Sequence, residues 1–151
     1  MYLRVYADKA AGGKLHQNLR SQKPRRKRYL HGRDRRGQIA NRRPISERPG
    51  HIEERKQVGH WEGDTVIGAA HKQDIATLVE RKSGYAVLAK VSNKTADLVG
   101  QAIEDKLGPL AARVKTLTVD NGKEFANHQA IDQALGIQTY FADPYCSWQR
   151  G

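Results

Sequence analysis

From Gln57 onward, apolar residues recur with the periods that secondary structure imposes, whereas before His51 they show no sustained period. Val58, Trp61, Val66 and Ile67, set around Asp64, predict a first strand. Ile75 to Glu80 and Tyr85 to Val91 predict two more, joined at Lys82-Ser83-Gly84 as a hairpin. Thr95 has the chemistry of an N-cap, with Asp97 in the first turn, and Val99, Ile103, Leu107 and Leu110 return at helical spacing until Gly108-Pro109 breaks the run. Val114, Leu117 and Val119 then predict a fourth strand ending at Asp120. Asn127 is placed to cap a helix carrying Ile131, Ala134 and Leu135 up to Gly136, and Ile137 to Phe141 predicts a fifth strand. Three strands, then helix, strand, helix, strand make an α/β layered domain.

The first 50 residues read differently. They contain arginine clusters, glycines and prolines with few large apolar residues, so a basic, largely irregular arm is expected over 1–50, ahead of a folded core over 51–151. Within the arm, Leu3, Tyr6, Ala10 and Leu15 offer a weak apolar stripe for a short helix around Tyr2 to Leu19.

Charge sharpens this division. Of 27 Lys and Arg residues, 15 fall in positions 1–50 against three acids, while positions 51–151 hold 12 bases against 13 acids, so the net charge of +11 resides in the first third. A clustered cationic segment releases condensed counterions from nucleic acid, which points to a polyanion partner. A solvated basic tail or an RNA-associated arm is the alternative. Arg25, Arg26, Lys27, Arg28, Arg35, Arg36, Arg42 and Arg43 are the candidate phosphate contacts. Near the other end, Tyr145 and Trp148 either stack on an unpaired base or pack into the core, and Arg150 meets a phosphate or faces solvent.

A single cysteine, Cys146, excludes an internal disulfide and a cysteine-rich zinc site, which fits a reducing cytoplasm. No apolar run approaches the roughly 20 residues that span a bilayer, and MYLRVYADKA lacks the apolar stretch of a signal peptide, so a soluble, unexported protein is expected. His60-Trp61-Glu62 supplies half of a zinc-deaminase signature without the cysteine pair, which leaves His60 as a strand residue or a neighbour of a metal site. Gly12-Gly13 lacks the remaining spacing of a phosphate loop.

Two acids stand among strand-forming residues: Asp64 in GHWEGDTV (59–66) and Asp120 in LTVDNGKEF (117–125). A carboxylate there is costly without a cation, and two on neighbouring strands would converge on hard divalent ions, which prefer oxygen ligands. The competing reading is that Asp-Asn-Gly is turn chemistry and Asp64 an edge-strand acid facing water.

These strings, with IATLVERK (75–82) and YFADPYCSWQRG (140–151), resemble the catalytic core of transposases of the IS thirty insertion-sequence family, DDE recombinases related to retroviral integrases. The resemblance runs from about Tyr2 to Gly151. It implies a ribonuclease-H-like mixed sheet with flanking helices, in which the first and fourth strands lie side by side and bring Asp64 and Asp120 together as catalytic metal ligands. It further implies Mg²⁺ (or Mn²⁺) as cofactor, insertion-sequence ends and target DNA as partners, self-association of the intact transposase, and a bacterial cytoplasmic, nucleoid-associated setting. The family's catalytic glutamate is expected a few residues beyond Gly151, and its end-recognising helix-turn-helix region before this core. The chain is accordingly expected to be an internal piece of a transposase, or the product of a decayed or frameshifted copy, and inactive as given. A non-catalytic nucleic-acid-binding protein and an inert remnant of a mobile element are the alternatives.

Overall fold

The structure is a computed structural model that describes residues 2–18, 39–68, 73–144 and 146–149. Its elements are α1 (Tyr2–Ala10), β1 (Arg43–Pro44), β2 (His60–Ile67), β3 (Asp74–Glu80), β4 (Ala86–Val91), α2 (Ala96–Leu107), β5 (Thr116–Val119), α3 (His128–Leu135) and β6 (Gln138–Phe141), with short 3₁₀ turns between them. The chain divides into two compact units, 1–36 and 37–151. In the first, α1 is followed by a 3₁₀ turn over Leu15–Asn18, and Asp8 fixes their junction by accepting a hydrogen bond from the Leu15 N–H at 3.0 Å. The predicted stripe does not form a core there, since Leu3 is 83% exposed.

The second unit is built on a six-stranded sheet ordered β1-β6-β5-β2-β3-β4. β2, β3 and β4 form an antiparallel meander, whereas β5, β6 and β1 add in parallel on the other side of β2. The first and fourth predicted strands are therefore neighbours, as the resemblance implied. All four residues of β5 are buried, as expected of a parallel strand covered on both faces.

One face carries the core. Trp61, Leu78, Val91, Leu117, Val119 and Phe141 from the strands pack with Val99, Ile103 and Leu107 of α2 and Ile131 and Leu135 of α3. Thr95 caps α2 as predicted, its hydroxyl accepting from the Leu98 N–H, and Gly136 ends α3 in the left-handed conformation. Asn127 differs from expectation: its side chain makes no cap and donates instead to Asp97 Oδ1 at 2.5 Å, tying the first turns of the two helices. Ala134 is exposed, and His128 takes the buried place on α3. Val58 lies in a turn, 47% exposed, because β2 begins only at His60.

The larger difference precedes His51. Irregular backbone is expected up to residue 50, yet Ile39 is buried and β1 pairs with β6, Arg43 opposite Tyr140 and Pro44 opposite Phe141. Two residues are too few to give a periodic signal, and Pro44 has no N–H, so it sits where strands tolerate proline, at the sheet edge. Among the described residues no helix is long and apolar enough to cross a membrane.

The centre of the sheet depends on the absence of a side chain at Gly63. A Cβ there would lie 3.0 Å from Val119 Cγ1 and 3.3 Å from Leu117 Cδ1, so β2 and β5 approach only because glycine separates them. Gly63→Val should overpack this contact and lower stability by about 1–3 kcal/mol. Urea denaturation would show this as a reduced midpoint with an unchanged slope, and an unchanged midpoint would refute it.

Candidate functional site

β2 and β5 run parallel in a register that pairs His60 with Thr116, Trp61 with Leu117 and Glu62 with Thr118. The same offset continued carries Gly63 to Val119, in accord with their close approach, and Asp64 to Asp120. β5 stops at Val119, while β2 runs on to Ile67 paired with β3 alone. The two acids therefore stand where the central crevice of the sheet opens, beside the carboxyl end of β5.

Both carboxylates are half-buried and oriented by main chain. Asp64 Oδ1 accepts the Thr65 N–H at 2.8 Å, and the Thr77 hydroxyl donates to the Asp64 carbonyl at 3.2 Å. Asp120 Oδ1 accepts the Gly122 N–H at 2.9 Å, the Asx-turn geometry of an Asp-Asn-Gly segment. Turn chemistry and a converging carboxylate thus coexist at Asp120. Asn121 does more than turn the chain: its amide donates to the Ala142 carbonyl, and its Oδ1 accepts from Arg42.

The remaining predicted residues divide. Arg43 is held in an ion pair with Asp132 at 2.9 Å, linking β1 to α3. Trp148 is 75% exposed, which settles its choice against the core, and borders a cleft with Ile45, Ser46, Glu53, Asp143 and Gln149. Arg25, Arg26, Lys27, Arg28, Arg35, Arg36, Tyr145 and Arg150 lie outside the described residues.

Sequence reasoning missed a buried charge network beneath the acids. Arg48, which belongs to the basic arm by sequence, and Arg81 each have side chains only 1% exposed. Arg48 donates to Thr118 Oγ1 at 3.0 Å and pairs with Glu53, while Arg81 pairs with Glu62 and, at 3.2 Å, with Glu53. Thr118 and Glu62 are register partners, so the arch closes across the β5–β2 pair two residues before Asp120 and Asp64. Burial, the largest influence on Arg81, lowers its pKa, partly offset by Glu62. Apart from Arg48 and Glu53, the partners are far apart along the chain, so the network leaves no local signal in the sequence.

Glu124 is also engaged: it is buried, accepts from the Thr65 hydroxyl at 2.9 Å and pairs with Lys94 at 2.6 Å. Among the described residues no group of three or more His, Cys, Asp or Glu side chains is arranged to hold a metal ion. Two half-buried carboxylates, one on β2 and one just past the end of β5, still match part of the oxygen donor set that a hard divalent cation takes.

His60 is a strand residue. Its Nδ1 lies 2.8 Å from Thr116 Oγ1 and its Nε2 3.1 Å from Gln57 Oε1. Burial, followed by repulsion from His51 and Lys115, holds its pKa below the ordinary histidine value, with Glu80 opposing. The unfolded chain then binds the proton first as pH falls, so the stability contributed by neutral His60 is full above about pH 6.5 and is lost as pH drops toward the depressed folded value. His60→Gln should reduce the urea midpoint at pH 8, because the hydrogen bond to Thr116 is removed, yet flatten its decline between about pH 7 and 5.5. An equally steep decline in the variant would place the acid sensitivity elsewhere.

The sheet order, with one acid on β2 and another just past the end of β5, is that of a ribonuclease-H-like fold. Residues 54–147 match the integrase core domain, and the chain belongs to that family. It is 40% identical over 151 residues to the transposase for insertion sequence element IS4351 of Bacteroides fragilis, covering 100% of this chain and 46% of that protein. It is 43% identical over 114 residues to transposase InsI for insertion sequence element IS30A of Escherichia coli (strain K12), covering 75% of this chain and 30% of that protein. The resemblance to the IS thirty transposases therefore holds, and the chain spans less than half the length of these relatives. Among solved structures, the simian T-cell lymphotropic virus intasome in complex with PP2A regulatory subunit B56 gamma matches with a TM-score of 0.55 and 18% identity over 63% of this chain and 35% of that chain. That likeness concerns the fold. Integrase and DDE transposase cores generally depend on divalent metal.

Proposed function

We propose that this chain is the core portion of a DDE-type transposase acting in DNA cleavage and strand transfer, with Asp64 and Asp120 as catalytic metal ligands. The observation that supports this reading is the β2–β5 register: extended two residues past its last pair, Glu62 with Thr118, it would bring Asp64 opposite Asp120. Mg²⁺, or Mn²⁺ in its place, would when bound activate the attacking oxygen and stabilise the leaving one in an in-line displacement. The chain's own residues prepare that chemistry. Thr65 and Gly122 orient the carboxylates, Asn121 ties the exposed Arg42, a candidate phosphate contact, to the turn after Asp120, and Trp148 presents an open aromatic face to a base. The partners in this reading are insertion-sequence ends and target DNA, with self-association of the intact transposase, in the cytoplasm of a bacterium. The basic segment tracks phosphates without reading sequence.

Carboxylate oxygens are the ligands a hard divalent cation takes, and a cation that binds the folded chain in preference to the unfolded one stabilises it. Mn²⁺ should therefore stabilise the fold, by about 1.4 kcal/mol at ten times its dissociation constant. Asp64→Asn and Asp120→Asn should each abolish that gain. Thermal melts with Mn²⁺ and with chelator test this, and coincident melts for the parent chain would count against the paired site.

DNA affinity should be steeply salt-dependent and indifferent to sequence. Replacing Arg25, Arg26, Lys27 and Arg28 by serine should reduce the slope of log affinity against log salt by about 0.9 for each phosphate no longer neutralised. Fluorescence anisotropy at several salt concentrations measures the slope, and an unaltered value would remove these four residues from the interface.

A further inference from the structure

Glu124 follows Asp120 by four residues, in the 3₁₀ turn Lys123–Phe125, and is only 5% exposed. A carboxylate so buried requires partners, and both of its partners come from distant segments. Thr65 donates its hydroxyl at 2.9 Å, and Lys94, just ahead of α2, contributes its ammonium at 2.6 Å. Thr65 is also the residue whose N–H holds Asp64 Oδ1. On its other side the Glu124 carboxylate lies against the Gly122 backbone, where a Cβ would collide with it, and Gly122 is the residue whose N–H holds Asp120 Oδ1. The carboxylate thus touches the two residues whose main chain orients the two proposed ligands.

We propose that Glu124 is a positioning residue that sets the Asp64 and Asp120 carboxylates relative to each other, acting through Thr65 and Gly122. This rests on the metal-ligand reading given under Proposed function. A buried ion pair contributes little net stability compared with well-packed apolar side chains, so Glu124 and Lys94 suit orientation better than reinforcement. Groups that orient metal ligands typically alter affinity by about 10–100-fold when removed, which sets the size of the effect.

The test is calorimetric titration of Mn²⁺ into the full chain, well below the melting temperature of each variant, with apo melting temperatures recorded separately. Glu124→Ala should weaken Mn²⁺ binding by about tenfold, and Thr65→Val, which deletes only the hydroxyl, should do the same. Combining the two should add less than about threefold, because both break one connection. Glu124→Gln keeps an oxygen that accepts the Thr65 hydroxyl and should restore affinity to within about threefold of the parent. A merely structural residue would lower the apo melting temperature in these variants and leave their Mn²⁺ affinity unmoved, which would overturn the proposal, as would fully additive losses in the double variant. If Glu124→Ala does not fold, the Thr65→Val titration decides alone. Absence of Mn²⁺ binding by the parent chain would defeat the metal-ligand reading and this inference with it. Parent binding with unaffected variants would defeat this inference only.

Discussion

The contact on which this sheet depends is the approach of β2 to β5 at Gly63. Only three residue pairs define their register, yet that short ladder joins the antiparallel meander to the parallel half of the sheet. A side chain at 63 would have to displace Val119 and Leu117, both fully buried in the core, and cores resist such displacement because they are packed as densely as organic crystals. Packing on the helix-covered face thereby fixes the spacing of acids one residue further along each strand. The core and the chemistry are set by the same contact, seen at consecutive positions of one strand.

Below the acids, two buried arginines meet acids that are themselves partly exposed. Arg48 and Arg81 are withdrawn from water and share Glu53, with Thr118 and Glu62 at the two feet of the arch. Two guanidinium groups deep in the protein tolerate burial only because fixed acceptors replace their hydration. Burial makes Arg81 easier to deprotonate than an exposed arginine, and Glu62 opposes that effect. Such an arrangement is particular about geometry, since removing any one member leaves a buried charge without its counterpart.

Much of the fold can be read from the chain because the elements that make it obey local periods. The hairpin at Lys82-Ser83-Gly84, the Thr95 cap and the Gly136 stop each depend on neighbours a few residues away. The pairing of β2 with β5 comes from the family resemblance, because strand order leaves no trace in periodicity. The segment from Ile39 to Gly50 reads as part of an irregular arm because its Arg48 and Arg43 look like solvent-facing cations in sequence, and become structural only when Thr118, Glu53 and Asp132 meet them. Asp64 and Asp120 are legible as candidates by their unusual surroundings. The hydrogen bonds that orient them, and the engagement of Glu124 with Thr65 and Lys94, depend on side chains brought together from three segments.

The two-residue strand β1 has a consequence for how this molecule meets others. A sheet edge is normally a template on which another chain can lay a strand, main chain to main chain. At the β1 edge the template is two residues long and one of them, Pro44, has no hydrogen to offer. A visiting strand would find almost no ladder to continue. The opposite edge, β4, is six residues long and keeps Leu88 exposed. Among the described residues the two borders of the sheet therefore differ toward strand addition: β1 offers almost no ladder, whereas β4 offers six residues of backbone.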